Sequence, residues 1–310
     1  MTILMNGAYF NSLDQDSGLE NALDQIPGSG TTDYIIFSLN VKSKTIVDIS
    51  FGLSGPTLAS DGDIQDGFSD IIEPIISAGI KNKSLKRIWL SIGGAESDAF
   101  TYINDIISQN SDLTKTLYNN FNAIITAIGN IQGAASESGP VFSGFDIDFE
   151  QKKGDLQTLV SNVTIWLYQQ FKCTFTFCPF QSLPITPPHA KTQAVSPWIS
   201  SLSTIYSALN TQPVLGFNLQ TYAGGYGNDP TAWVSAVSAQ SGTSVADASA
   251  FIWPIFSCDS GLGNGPNSTP SQVTTAMQGW KSQGASLWAT ASLPYDNYNL
   301  SDYATAINAG

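Results

Sequence analysis

Short apolar runs rich in β-branched and aromatic residues alternate along the whole chain with stretches whose apolar residues recur every three or four positions. The runs predict strands at Ile3–Phe10, Tyr34–Val41, Arg87–Ser91, Phe142–Phe149, Cys173–Cys178, Val214–Gln220, Ala250–Phe256 and Ala285–Ala291. Two of them, DYIIFSLNV and AFIWPIF, are apolar almost without interruption, as a parallel strand covered on both faces requires. After the fourth strand, Leu156, Leu159, Val160, Val163, Trp166 and Leu167 form one helical stripe, and Phe68, Ile71, Ile72, Ile75 and Ile76 do the same after the second. Ser196-Pro197, Asp229-Pro230 and Thr269-Pro270 each set a capping residue before a proline, a helix start. Eight strands, each followed by a helix, predict an α/β fold: a single (β/α)8 TIM barrel formed by residues 1–310 as one domain. The longest irregular stretches, Val41–Asp66, Phe180–Val195 and Ser257–Thr269, all follow strands, where such a barrel keeps its binding loops.

Composition then narrows the function classes. Hydrophobic residues make up 42% of the 310, enough for a sizeable core. No apolar run approaches the roughly 18 residues that cross a bilayer, so no membrane partner is expected. Charged residues are only 12%, against about 25% in an average protein. With 12 Lys and Arg against 25 Asp and Glu, the formal net charge is -13. Such a surface repels phosphate backbones and excludes nucleic acid as a partner, while it tolerates a neutral sugar polymer. The small polar surface suits an extracellular working life. The start, MTILMNGAYF, lacks a basic segment followed by a long apolar one, so no signal peptide is visible and a cytoplasmic location is the alternative. The three cysteines have no metal-ligand spacing, and their odd number argues against a disulfide framework. Cys173 and Cys178, five apart on one strand, fall on opposite faces and read as packing residues. His189, the only histidine, sits in a proline-rich loop with no acid or cysteine near it in sequence, and reads as a surface residue.

The segment Ser143-Gly144-Phe145-Asp146-Ile147-Asp148-Phe149-Glu150 carries the candidate chemistry. On a strand, alternation puts Gly144, Asp146, Asp148 and Glu150 on one side and Phe145, Ile147 and Phe149 on the other. In a barrel the apolar row packs on the helices, so the acids enter the lumen. Like charges crowded in a low-dielectric interior raise at least one pKa, which a general acid near neutral pH requires. Glu150 comes last, at the C-terminal rim where substrate arrives.

This segment resembles the catalytic signature of the family 18 glycoside hydrolases, written DxxDxDxE, a group that includes chitinases and endo-β-N-acetylglucosaminidases. Ser91-Ile92-Gly93-Gly94 resembles the family's SxGG motif. Gln220-Thr221-Tyr222 resembles the Gln-x-Tyr of its compact plant-type and bacterial chitinases, and Trp288 matches the tryptophan that floors its central subsite. The ordered set spans nearly the whole chain. The family's first aspartate is Ser143 here; by parity that residue points away from the acid row.

The resemblance implies a retaining hydrolysis of β-1,4 links next to N-acetylglucosamine, in which the substrate's own 2-acetamido group is the nucleophile. Glu150 would be the acid, Asp148 would hold the acetamido N–H, Asp146 would tune Asp148, and Tyr222 would bond the acetamido carbonyl. Gln220 and Trp288, with Tyr9, Gly93 and Gln181, would contact the sugar. No metal or organic cofactor is implied. The expected partner is chitin or an N-acetylglucosamine-containing oligosaccharide, met by a monomer. The connection between the seventh and eighth strands, about Ser257 to Gly284, leaves no room for a cleft-deepening insertion, so an open groove is expected. Within the same chemistry the N-glycan chitobiose core is the alternative substrate; from another class, a non-catalytic chitin-binding lectin or enzyme inhibitor on the same barrel is the alternative role.

Overall fold

The computed structural model describes residues 4–15, 17–109, 111–133, 141–151, 153–181, 183, 196–258, 268–288 and 290–310. Strand β1 (Asn6–Phe10) pairs in parallel with both β2 (Asp33–Val41) and β11 (Ala285–Trp288), and this double pairing closes the sheet into a ring. Going round from β2, the ring continues through β6 (Arg87–Ala95), β7 (Val141–Glu150), β8 (Thr174–Phe177), β9 (Val214–Gln220) and β10 (Ile252–Ser257) to β11. Eight parallel strands thus form a closed barrel surrounded by helices, as the alternating pattern predicts.

The helices cover the barrel with the stripes read from sequence. Leu156, Leu159, Val160, Val163, Trp166 and Leu167 are all buried on α5 (Leu156–Phe171), against the outward row Phe145, Ile147 and Phe149 of β7. The stripe from Phe68 to Ile76 is buried too, over a π-helical turn (Phe68–Ile72) that runs into α2 (Glu73–Lys81). The proline starts hold at α6 (Pro197–Leu209), α7 (Pro230–Ala239) and α8 (Pro270–Trp280). Thr269 and Gln272 form a capping box, and Asp229 Oδ1 accepts from Thr231 N at 2.9 Å. Ser196 makes no side-chain cap bond; only its carbonyl enters the helix, accepting from Ser200 N. Among the described residues no helix is long and apolar enough to cross a membrane.

Several boundaries differ from expectation, among them the last strand, which ends at Trp288 and not at Ala291, and the seventh, which runs Ile252–Ser257. The stretch 41–66 is only partly irregular: β3 (Ile49–Phe51), β4 (Thr57–Ser60) and β5 (Asp63–Ile64) form antiparallel pairs that extend the upper end of β2. Strand β6 runs to Ala95, four residues past the predicted end, because it stays paired with β7 as far as Glu150. Strand β8 is only four residues long, so Cys173 and Cys178 flank it, Cys173 against the helical layer and Cys178 in the lumen. The predicted starts and loops at Ile3, 184–195 and 259–267, with His189, lie outside the described residues.

Candidate active site

The acid row is built by β7. Its pairing with β6 is regular from Gly144 onward and shifts by one residue at Ser143, between Phe142↔Ile88 and Gly144↔Trp89. Simple alternation therefore holds for Asp146, Asp148 and Glu150, while the parity count that orients Ser143 stops at this bulge. Asp146 and Asp148 are buried in the lumen. Glu150 is half-buried and lines the cleft at the C-terminal end of the barrel.

Each acid meets a different environment. Asp146 accepts from Thr176 Oγ1 at 2.6 Å, Ser91 Oγ at 2.8 Å, Asn218 Nδ2 at 3.0 Å and Tyr9 Oη at 3.1 Å. Burial pushes its pKa up, and these four bonds pull it back. Asp148 lies 3.5 Å from the Gln220 amide nitrogen and bonds with the Cys178 thiol and the Glu150 carboxyl. Burial, then the charges of Glu150 and Asp146, hold its carboxyl well above the usual range. Glu150 is raised by burial and lowered by its bonds to Gln220, whose Nε2 donates at 2.8 Å, and to Asp148.

Glycines at the end of β6 let this row sit where it does. A Cβ on Gly93 (φ +109°) would meet the Asp148 carbonyl oxygen at 2.1 Å, and one on Gly94 would meet the Phe37 ring at 2.6 Å. Both glycines line the cleft.

Aromatic rings make the floor. Trp288, at the end of β11, stacks on Tyr222 at 5.7 Å and 25° between ring planes. Phe37 meets it edge-on at 4.6 Å, and Tyr9 lies 5.4 Å from it. Trp288, Tyr222, Gln220, Glu150 and Phe37 all line one cleft of about 530 Å³. The walls beyond them come from Asn11, Ser12, Asp14 and Gln15 and from Phe51–Gly55 of the β3–β4 turn, where Leu53 is 54% exposed. Tyr222 is buried and its phenol is held well above its ordinary pKa by that burial, so it stays a donor.

The structure brings Glu150, Asp148, Asp146, Tyr222, Gln220, Trp288 and Gly93 together at one end of the barrel. Tyr9 belongs to the same cluster but does not line the cleft: it is fully buried and spends its hydroxyl on Asp146. Gln181 is exposed, three residues past the end of Cys178's predicted strand, and is not among the lining residues. Trp253 is buried in the lumen cluster with Tyr9, Trp89 and Cys178. Sequence reading missed Thr176, Asn218 and Phe37. Asn218 shares the parity of Gln220 on β9, which is a usable signal; Phe37 carries none.

No family sequence model matches the chain, and no curated protein matches it in sequence. Solved structures do match in shape. A family 18 chitinase from Pseudoalteromonas aurantia aligns over 98% of this chain and 99% of its own, with a TM-score of 0.60 and 12% identity. A mutant family 18 chitinase from Cycas revoluta, in complex with (GlcNAc)4, gives 0.61 at 11% identity over 99% and 100%. A chitinase-like agglutinin from Robinia pseudoacacia gives 0.56 at 11% identity over 99% and 100%. The chain therefore shares the barrel fold of these family 18 chitinases and of the chitinase-like agglutinin.

Proposed function

We propose that the chain hydrolyses β-1,4 links next to N-acetylglucosamine, in chitin or chitooligosaccharides, with retention of configuration. The observation that carries this is the position of Glu150: at the cleft surface, raised by burial, and directly above the buried Asp148 on the same strand.

A sugar seated on Trp288 has its lower face against the indole, and the Tyr222, Tyr9 and Phe37 rings fix that indole in turn. Glu150, its pKa raised by burial, gives its proton to the glycosidic oxygen. The carbonyl oxygen of the sugar's 2-acetamido group attacks C1 as the C1–O bond breaks, which forms an oxazolinium ion. Asp148 accepts the acetamido N–H, and its charge stabilises the cation that develops. The Tyr222 hydroxyl donates to the acetamido carbonyl. Glu150, now ionised, takes a proton from water as that water attacks C1, and the β-configuration returns.

Chitotetraose is the substrate for the test, with reducing ends counted for wild type and Glu150→Gln. Release by wild type alone supports hydrolysis. Binding of the tetramer by both proteins with no release favours the second reading, a carbohydrate-binding role on a fold shared with a chitinase-like agglutinin. Release only from an N-glycan chitobiose core moves the same chemistry to a glycoprotein substrate.

A further inference from the structure

A second groove, of about 300 Å³, lies outside the cleft and shares no lining residue with it. Small-molecule sites begin at about that size. One side is the loop after β9, with Thr221, Tyr226 and Asn228; the other is a face of α8, where Gln272, Ala276 and Trp280 follow at four-residue spacing. None of the described residues that line it is charged. In a chain of net charge -13, a neutral groove that mixes aromatic rings with amides offers nothing to an ionic partner. It suits a neutral polar one.

The rings are held, not loose. Trp280 stacks on Phe256 of β10, with centroids 5.9 Å apart and 20° between planes. Among the described residues Tyr226 is the most exposed aromatic side chain, at 57%. An exposed ring on a mobile loop would mean little, but this loop is pinned at both ends of its turn. Asn228 is buried; its Nδ2 donates to the Gln220 carbonyl at 2.9 Å, and its Oδ1 accepts from Trp233 Nε1 at 3.0 Å. The turn itself closes through Tyr226 N to Ala223 O and Asn228 N to Gly225 O. A Cβ on Gly225 would meet the Gln220 carbonyl oxygen at 2.3 Å, so only glycine lets the loop fold back this far. On the other side, Gln272 spends its Oε1 on the Thr269 N–H and has its Nε2 left to donate.

We propose that this groove is a second sugar site, which holds a unit of the same N-acetylglucosamine polymer that the cleft takes. This rests on the reading of the cleft as a chitin site. The two sites stand back to back on one strand end: Gln220 and Tyr222 line the cleft, and Thr221 between them lines the groove. The Thr221 hydroxyl donates to the Ile255 carbonyl at 2.6 Å, which turns its side chain from the lumen toward β10. A polymer that crosses the barrel rim at Gln220–Tyr222 passes from one site to the other. In the groove a sugar ring packs its apolar face on Trp280, whose orientation Phe256 fixes, with Tyr226 opposite and Gln272 Nε2 donating to a hydroxyl. The groove anchors the polymer and takes no part in bond cleavage.

Binding isotherms on insoluble chitin, run beside cleavage of soluble chitotetraose, test this with the whole protein, Tyr226→Ala and Trp280→Ala. Each variant should bind chitin about fivefold more weakly than wild type, while kcat and KM on chitotetraose stay nearly unchanged. Tyr226→Ala removes an exposed ring and keeps the question open to test should Trp280→Ala, which strips a ring from Phe256, fail to fold. Chitin binding at the wild-type level in the folded variants overturns the proposal, as does a wild type that cleaves chitotetraose but does not bind chitin. A chitotetraose KM that rises as much as the chitin affinity falls would make the groove part of the cleft, and overturns it too. So does a wild-type dimer, seen by light scattering, that Tyr226→Ala dissolves, because a second copy of the chain would then cover the groove. A wild type that cleaves nothing yet binds chitin through Tyr226 would refute the hydrolase reading and leave the second site standing.

Discussion

The side-chain amide of Gln220 donates to Glu150 Oε1 at 2.8 Å, reaching from the end of β9 over the end of β8 to the end of β7. The bond favours the ionised carboxyl, burial favours the neutral one, and burial prevails, so Glu150 lies above its ordinary value. Gln220→Leu removes the opposing bond and raises Glu150 further. Activity that needs protonated Glu150 is lost as pH rises through its pKa, so the basic limb of kcat/KM should move up by about one unit. A pH–rate profile on chitotetraose checks this; an unmoved limb would mean the amide serves only the sugar.

Asp148 makes the fold less stable as pH rises. Its folded-state pKa lies well above the unfolded value of about 4. Between the two values the folded chain binds more protons than the unfolded one, so stability falls with pH. The contribution is full below about pH 4 and is lost as pH rises through the folded value. Asp148→Asn escapes that loss. Its advantage in Tm over wild type should widen steadily from pH 4 to pH 8. A margin that stays constant across that range contradicts the buried-charge account.

The same variant should be a poor catalyst. Without the Asp148 charge beneath C1, kcat should fall by about 10²-fold or more, with KM changed far less. Steady-state kinetics at the pH optimum separate this from a binding defect, in which KM would carry the effect.

Two glycines should respond in opposite directions to alanine. At Gly93 the new methyl would meet the Asp148 carbonyl at 2.1 Å on a backbone at φ +109°, so Gly93→Ala should cost several kcal/mol, about 3 or more. Gly129 is exposed on α4 (Ser111–Gly133) with nothing within 4 Å, and Gly129→Ala should stabilise by about 0.5–1 kcal/mol. Denaturant midpoints measure both. A neutral Gly93→Ala would mean that the ends of β6 and β7 can separate without loss.

The acid row was legible because every residue between Asp146, Asp148 and Glu150 is bulky and apolar, which leaves only one face of a strand for the carboxyls. Gln220, Tyr222 and Trp288 were reached by family resemblance, and they do meet at the cleft. Thr176 and Asn218 were not singled out, since a neutral polar residue inside TFTF or FNLQ looks like any strand residue until its neighbours across the lumen are known. Tyr9 falls on the lumen side, but its depth was not legible: Trp288 lies over it, and a strand's period says nothing about what covers it. The stretch 41–66 read as irregular because Gly52, Gly55 and Pro56 punctuate it and a strand of three residues has too few positions to show a period. Gln181 was placed by nearness in sequence to a strand end, which does not fix direction.

Glu150 as the acid of a retaining, substrate-assisted hydrolysis leaves a stereochemical signature in the first product. The most direct test follows chitotetraose by proton NMR with wild type and Glu150→Gln, reading the anomer formed before mutarotation. Wild type should release β-disaccharide as the first product, and Glu150→Gln none. An α-anomer as first product, or cleavage by Glu150→Gln at the wild-type rate, would contradict it.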